Sequence, residues 1–330
     1  MKGEEFIDVE VSFQPDRADL ATFWKYYEME QKFHASESKW KQVIWGNPRK
    51  SERVCRFCKK DASATTFRNL AHLVPALLGN KVLFSGFECD ECNSIFSRYE
   101  NELANFSGVW HTLSQVQGRG RISKFKDAKK GFHLVSQNNQ LHLYIEDLKK
   151  GGINFNPEKE TLEISTFKPA FVPRDALKCL IKIAFGFLEE KSLSDYDKTR
   201  RWLIGEIRDD DVPMHPYFYV PRARNTKRFN DPLIMLMRRR QLEAPFAMPE
   251  HSLLLWYGVF IYQIYIPFHK NEDSEFAKGK LFIPIEEHLC EEIASDNPLG
   301  AANVNIMNMG AKVRVKGVDE NIVLPFVRKG

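Results

Sequence analysis

A chain of 330 residues, 43% hydrophobic and 28% charged, has the composition of a soluble globular protein and the length for two domains, or for one large domain with an insert. That composition excludes a disordered chain, and no run approaches the ~18 consecutive apolar residues of a membrane span. The formal charge of +4 is too small to mark a nucleic-acid binder, so any basic surface has to be local.

The opening MKGEEFIDVEV puts acidic residues where a secretion signal needs a positive start and an apolar run. A cytoplasmic location is therefore expected. Leu20, Phe23, Trp24 and Tyr27 fall at helical spacing within residues 17–35, which predicts a helical N-terminal arm over 1–45 that packs on another part of the protein. Gly46-Asn-Pro-Arg-Lys-Ser is a turn signal that ends the arm.

Four of the six cysteines form two CxxC pairs, Cys55/Cys58 and Cys89/Cys92, with 30 residues between them. Each CxxC turn aims two thiolates at one point, and two such turns complete the tetrahedron of a structural zinc site. A pair of redox motifs is the rival reading of the same spacing. Cys179 and Cys290 are expected to be small core residues.

After Cys92, the positions of Ile95, Phe96, Tyr99, Leu103 and Phe106 predict a helix that stops at Ser107-Gly108. Alternating runs on either side of Asn138-Asn139, and again in TLEISTF, predict a small antiparallel sheet over 131–167. Pro173 opens a second helix whose apolar stripe runs through Leu177, Leu180, Ile181, Ala184, Phe187 and Leu188. Arg174, Lys178 and Lys182 share its other side, and a solvated face is the ordinary explanation of such a stripe. Beyond residue 200, HSLLLWYGVFIYQIYIPF, KLFIPI and KVRVKG are expected to be strands, VPRARNTKRFNDP a loop, and MLMRRR (235–240) the cationic end of an apolar helix.

Between the cysteine pairs lies NLAHLVPALLGN, with His72 three residues before Pro75 and a Gly79-Asn80 turn. With CRFC before it and CDECNSIFSRYE after it, this segment resembles the zinc-containing branch of the HNH endonucleases, the ββα-metal nucleases. There the pattern is CxxC, a strand ending in His-x-x-Pro, a glycine-containing turn, then CxxCN leading into a helix. The resemblance covers about sixty residues. It implies an α+β fold class, with a zinc-stapled HNH module at 46–107 embedded in a larger mixed α/β chain. The remaining 108–330 would be a mixed α/β C-terminal domain for positioning, oligomerisation or regulation.

The same resemblance implies the chemistry. His72 would be the general base that activates water, Asn93 the helix residue that ligates one Mg2+ or Mn2+, and Cys55, Cys58, Cys89 and Cys92 the ligands of a structural Zn2+. Phosphodiester hydrolysis needs such a base and charge stabilisation of the phosphate and leaving oxygen. Asn93 alternatively caps its helix.

Two positions depart from the family pattern. Ala71 stands where a metal-binding carboxylate often precedes the histidine. No asparagine lies a few residues before the second CxxC, and Asn80 is an imperfect substitute for it. Glu88, Asp90 and Glu100 are the candidate replacements for the carboxylate. Glu100, seven residues after Asn93, shares its helix face about 10 Å further along the axis. It would orient His72 or a metal-bound water, or form an ordinary ion pair.

Downstream, GRGRISKFK gathers Arg119, Arg121, Lys124 and Lys126, a candidate contact with DNA phosphates, and RARNTKR gathers a second, weaker cluster. The expected function is a metal-dependent endonuclease on double-stranded DNA, acting in bacterial defence or restriction. A homo-oligomer and a regulatory ligand or protein partner remain open. Two rivals stand beside it: a non-catalytic zinc-ribbon nucleic-acid-binding protein, and a nuclease gated by a ligand-sensing C-terminal domain.

Overall fold

The computed structural model describes residues 10–13, 22–34, 41–118, 122, 124–137, 140–243, 246–285 and 305–325. Strand β1 (Glu10–Phe13) precedes a one-turn helix α1 (Thr22–Tyr26) and strand β2 (Tyr27–His34). The longer helix expected from the spacing of Phe23, Trp24 and Tyr27 is therefore not formed, and Leu20 lies outside the described residues. From Tyr27 onward the chain instead pairs antiparallel with residues 233–239. A short isolated helix is marginal, so an available strand partner outweighs its propensity.

Strand β3 (Val43–Trp45) pairs in parallel with β4 (Leu83–Ser85). Helix α2 (Asp90–Ser107) begins directly after Cys89, buries Phe96, Tyr99, Leu103 and Phe106 along the predicted stripe, and stops at Gly108. After α3 (Val109–Leu113), strands β5 (Phe125–Asp127), β6 (Phe132–Gln137) and β7 (Gln140–Ile145) form one antiparallel sheet. Strands β8 (Ile153–Asn156) and β9 (Thr161–Phe167) pair separately. The single sheet expected over 131–167 is thus two, with the turn at 138–139 outside the described residues.

Helix α4 (Pro173–Phe187) starts at Pro173 as predicted, and α5 (Asp197–Leu203) follows. The two long strands β10 (Tyr219–Arg239) and β11 (His251–Tyr265) form an antiparallel pair interrupted by register shifts near Arg224 and Phe229. Next come α6 (Glu272–Phe276), β12 (Lys280–Ile283), β13 (Asn305–Asn308) and β14 (Asp319–Pro325). β12 pairs with β1, β13 and β2 flank β10, and β14 completes the β8–β9 sheet.

Three expectations for the second half fail here. VPRARNTKRFNDP and MLMRR are both parts of β10, because Ile234, Leu236 and Met237 are buried with strand partners on either side. Met, Leu and Arg are good helix formers, and the tertiary context overrides them. KVRVKG forms only a bridge, Val315 to Phe171, and leaves Val313 exposed.

Helix α4 packs against both α2 and β11, and this burial overturns the solvated face expected for Arg174, Lys178 and Lys182. All three are at most 2% exposed. Each has found acceptors that make burial tolerable. Arg174 donates to the carbonyls of Gly310 at 2.8 Å and Val212 at 3.0 Å, Lys178 reaches Asp209 at 2.9 Å, and Lys182 reaches Glu88 at 2.9 Å. One hydrophobic core runs from Cys55, Phe57, Leu73 and Phe96 into Leu177, Phe185, Trp202 and Leu255. The cysteine segment therefore shares its interior with α4, α5 and β11.

Candidate functional site

The first cysteine pair sits in a tight turn in which Lys59 N–H donates to Cys55 O at 2.9 Å and Cys55 N–H to Lys60 O at 2.8 Å. Lys59 takes φ +62° to close it. The second pair straddles the start of α2, where Cys89 is the N-cap and its sulfur accepts from Cys92 N–H at 3.5 Å. Cys55 and Cys92 sulfurs are 3.7 Å apart, Cys58 and Cys89 likewise, and all four lie within 4.8 Å of one another. A tetrahedron of Zn–S bonds of 2.3 Å has edges of about 3.8 Å, so the four sulfurs fit a zinc ion. Hydrogen bonds from Cys55 and Cys92 hold the Cys89 thiol far below the usual range, while its partner Cys55 is pushed up to about 12.

His72 is half-buried in a segment that meets β4 in a single antiparallel bridge: it pairs with Phe84, and Ser85 N–H donates to Ala71 O at 2.8 Å. Its ring lies 4.6 Å from that of Phe84. The hairpin turns through Pro75, a single 3-10 turn (Ala76–Leu78) and Gly79. Gly79 has φ +91°, and a Cβ there would lie 2.7 Å from Asn230 O of β10. Only glycine meets both demands.

Asn80 closes the hairpin from inside. It is 1% exposed, donates to Val74 O at 2.6 Å and Leu83 O at 2.8 Å, and accepts from the Val82 and Leu83 N–H groups. Its amide nitrogen also lies 3.4 Å from His72 Nδ1. This brace was underrated in the sequence, where a turn asparagine and a clasping asparagine look alike.

Beneath His72 lies an ion pair that local sequence gave no sign of. Lys182 Nζ donates to His72 O at 2.8 Å and lies 2.9 Å from Glu88 Oε2. The contact with Glu88 is one of charge, since neither carboxylate oxygen receives a well-directed hydrogen bond. Burial pushes the Glu88 carboxyl upward against the pull of Lys182, and the charge of Glu100 adds to that rise. Glu88 is thus committed to Lys182, and Asp90 to the Thr66 hydroxyl and the Arg68 and Asn69 N–H groups.

Asn93 lies in the first turn of α2, half-buried, with Cys89 rather than Asn93 as the cap. The capping alternative for Asn93 is thereby removed. Glu100 is half-buried two turns further along the same helix, and its charge is felt by both Glu88 and Cys179. Ala71 is buried. Among the described residues the four cysteines are the one set of three or more His, Cys, Asp or Glu close enough to share an ion.

Of the downstream basic residues, Arg119 and Arg121 lie outside the described residues, as does Cys290. Lys124 and Lys126 are exposed, and Lys126 pairs with Glu146 at 2.8 Å. In the second cluster Arg222 lies over Phe260 and Arg224 over Trp110.

The family model described as HNH endonuclease matches residues 55–105. That segment begins at Cys55 and ends within α2, so it contains both CxxC pairs, His72, Asn80, Asn93 and Glu100. No curated protein and no solved structure matches the chain. Among the described residues no helix is long and apolar enough to cross a membrane.

Proposed function

We propose that this protein is a metal-dependent DNA endonuclease in which His72 is the general base. The reading is supported above all by a half-buried histidine on a hairpin that Asn80 braces, inside the segment matched by the HNH endonuclease model. Hydrolysis requires that water lose a proton as it attacks phosphorus, and a positioned imidazole takes that proton. The zinc of the four cysteines is structural, because four thiolates leave no coordination position for water.

Mg2+ or Mn2+, when bound, supplies the positive charge that stabilises the scissile phosphate and the leaving oxygen. Asn93 is the residue that would hold it, and Glu100, about 10 Å further along the helix, would orient His72 or a metal-bound water. So sparse a donor set suits Mg2+, which keeps several waters and is commonly bound through one or two protein groups plus the phosphate itself. Arg119, Arg121, Lys124 and Lys126 would contact the DNA backbone away from the cut and position it without reading sequence. One such site cuts one strand, so a protomer nicks and a homodimer breaks both strands. The role as an effector of bacterial defence or restriction is carried over from the family resemblance.

A second reading, a zinc-ribbon protein that binds nucleic acid without cutting it, is favoured by buried Ala71 where a carboxylate is expected. Supercoiled plasmid incubated with the protein and Mg2+ or Mn2+ separates the two. The nuclease yields relaxed circles and then linear DNA, and EDTA stops it. Retarded but uncut DNA with both metals supports the binding protein.

A further inference from the structure

We infer that Lys182 is a positioning residue for His72, fixing the backbone at the base from a helix outside the matched segment. The inference rests on the nuclease reading. Lys182 stands 110 residues from His72 and comes from α4, yet its Nζ donates to His72 O at 2.8 Å and approaches Leu73 O at 3.5 Å. The same ammonium holds Glu88, the residue before the α2 cap and zinc-site cysteine Cys89. One buried cation thus ties three parts of the chain together: the His72 segment, the start of α2 that carries Asn93, and α4.

Close packing surrounds this junction. The Lys182 ammonium lies 5.5 Å from the Phe96 ring centre, and at Gly186, one turn further along α4, a Cβ would lie 2.4 Å from Leu73 Cδ1. The Leu73 side chain is thereby pressed against α4, and the His72–Leu73 backbone is bonded to it through Lys182. A buried ion pair adds little net stability compared with apolar side chains of the same volume. What Lys182 adds, and a methionine of similar reach would not, is a directed hydrogen bond to the backbone of the base. Lys178, on the same helix and equally buried, pairs with Asp209 instead.

The test uses full-length variants in single-turnover plasmid nicking with Mg2+, each first checked for zinc content and melting midpoint. K182M/E88M replaces both charges with apolar side chains, an exchange that a purely structural ion pair tolerates. The double variant is expected to keep its zinc and melt within a few degrees of wild type. It should nonetheless cleave about 100-fold more slowly at saturating protein, with the half-saturating protein concentration unchanged, because misplacement by ~1 Å costs about that factor. K178M is expected to lose stability and keep its rate at temperatures below its melting range.

A wild-type rate in K182M/E88M overturns the inference. So does a K178M protein slowed as much as K182M. If the double variant does not fold, the comparison of the two single variants decides by the same criterion. If wild type cuts no DNA, the nuclease reading is what fails, and Lys182 is then read by NMR of the histidine rings. His72 signals displaced in K182M and not in K178M support the positioning role, and signals unchanged in both overturn it.

Discussion

Arg56 Nη1 donates to the carbonyl of Gly186 at 2.8 Å and so caps the last turn of α4 from within the first CxxC turn. The same nitrogen reaches Leu188 O at 3.0 Å, and the guanidinium lies 3.9 Å over the Phe87 ring. Carbonyls at a helix C-terminus lack internal partners and favour a cation. Burial pushes the Arg56 guanidinium down to about 10, still charged at neutral pH. The cysteine turn and the central helix of the second half are therefore one structural unit at this point.

Replacing Arg56 by Met should destabilise the protein by roughly 2–3 kcal/mol, the scale of charged hydrogen bonds whose acceptors are left buried. Equilibrium urea unfolding measures it, with zinc content expected to stay at one ion per chain. An unchanged midpoint would show that the cap contributes nothing.

Removing the metal should lower the stability of the whole chain, not of a detached finger, because Cys55, Cys89 and Cys92 belong to the same core as α4 and β11. Structural zinc contributes about 10–16 kcal/mol in small fingers. Losing even half of that corresponds to a fall of roughly 7–12 °C in melting midpoint for a chain of 330 residues. Calorimetry with and without a strong chelator is the check. A chelated protein that melts where the zinc form does would contradict the four-thiolate site.

Asn80→Asp should be more damaging than Asn80→Ala. The aspartate keeps the shape but turns an acceptor toward Val74 O and Leu83 O, where the amide donates, whereas alanine leaves about two to four backbone groups unpaired at ~1–3 kcal/mol each. Hydrogen exchange of Leu83 and Val82 N–H reads the hairpin directly. Equal protection in wild type and both variants would mean that the brace is dispensable.

Burial holds the His111 imidazole below its ordinary range, and its Nδ1 is enclosed without a partner. A depressed histidine contributes stability that is present above the unfolded value, near 6.5, and is lost as pH falls through the folded value. The melting midpoint should therefore drop below about pH 6.5, and His111→Phe should flatten that drop. A pH profile identical in wild type and H111F would remove His111 from the acid response.

Much of the candidate site was legible because its signals are local. The CxxC spacing, the helix from the second CxxC to Gly108 and the Pro173 start depend on neighbours a few residues away, and each is found where the sequence put it. What escaped has distant partners. Lys182 finds His72 across 110 residues and Arg56 finds Gly186 across 130, so no local pattern separates these buried cations from solvated ones. β2 and the Met235–Arg239 part of β10 are strands because they pair with each other, although both carry helix-forming residues. Asn93 lies on α2 as expected, and the capping role belongs to Cys89, whose sulfur accepts from Cys92 N–H.

The most direct test of the account is the single-turnover rate of plasmid nicking by His72→Ala beside wild type, both with one zinc per chain and matched melting midpoints. Loss of a general base slows hydrolysis by about 10²–10⁴-fold, and the account predicts a fall in that range with Mg2+ or Mn2+. Equal rates in the two proteins would take His72 out of the chemistry and contradict the assignment of this hairpin as the catalytic centre.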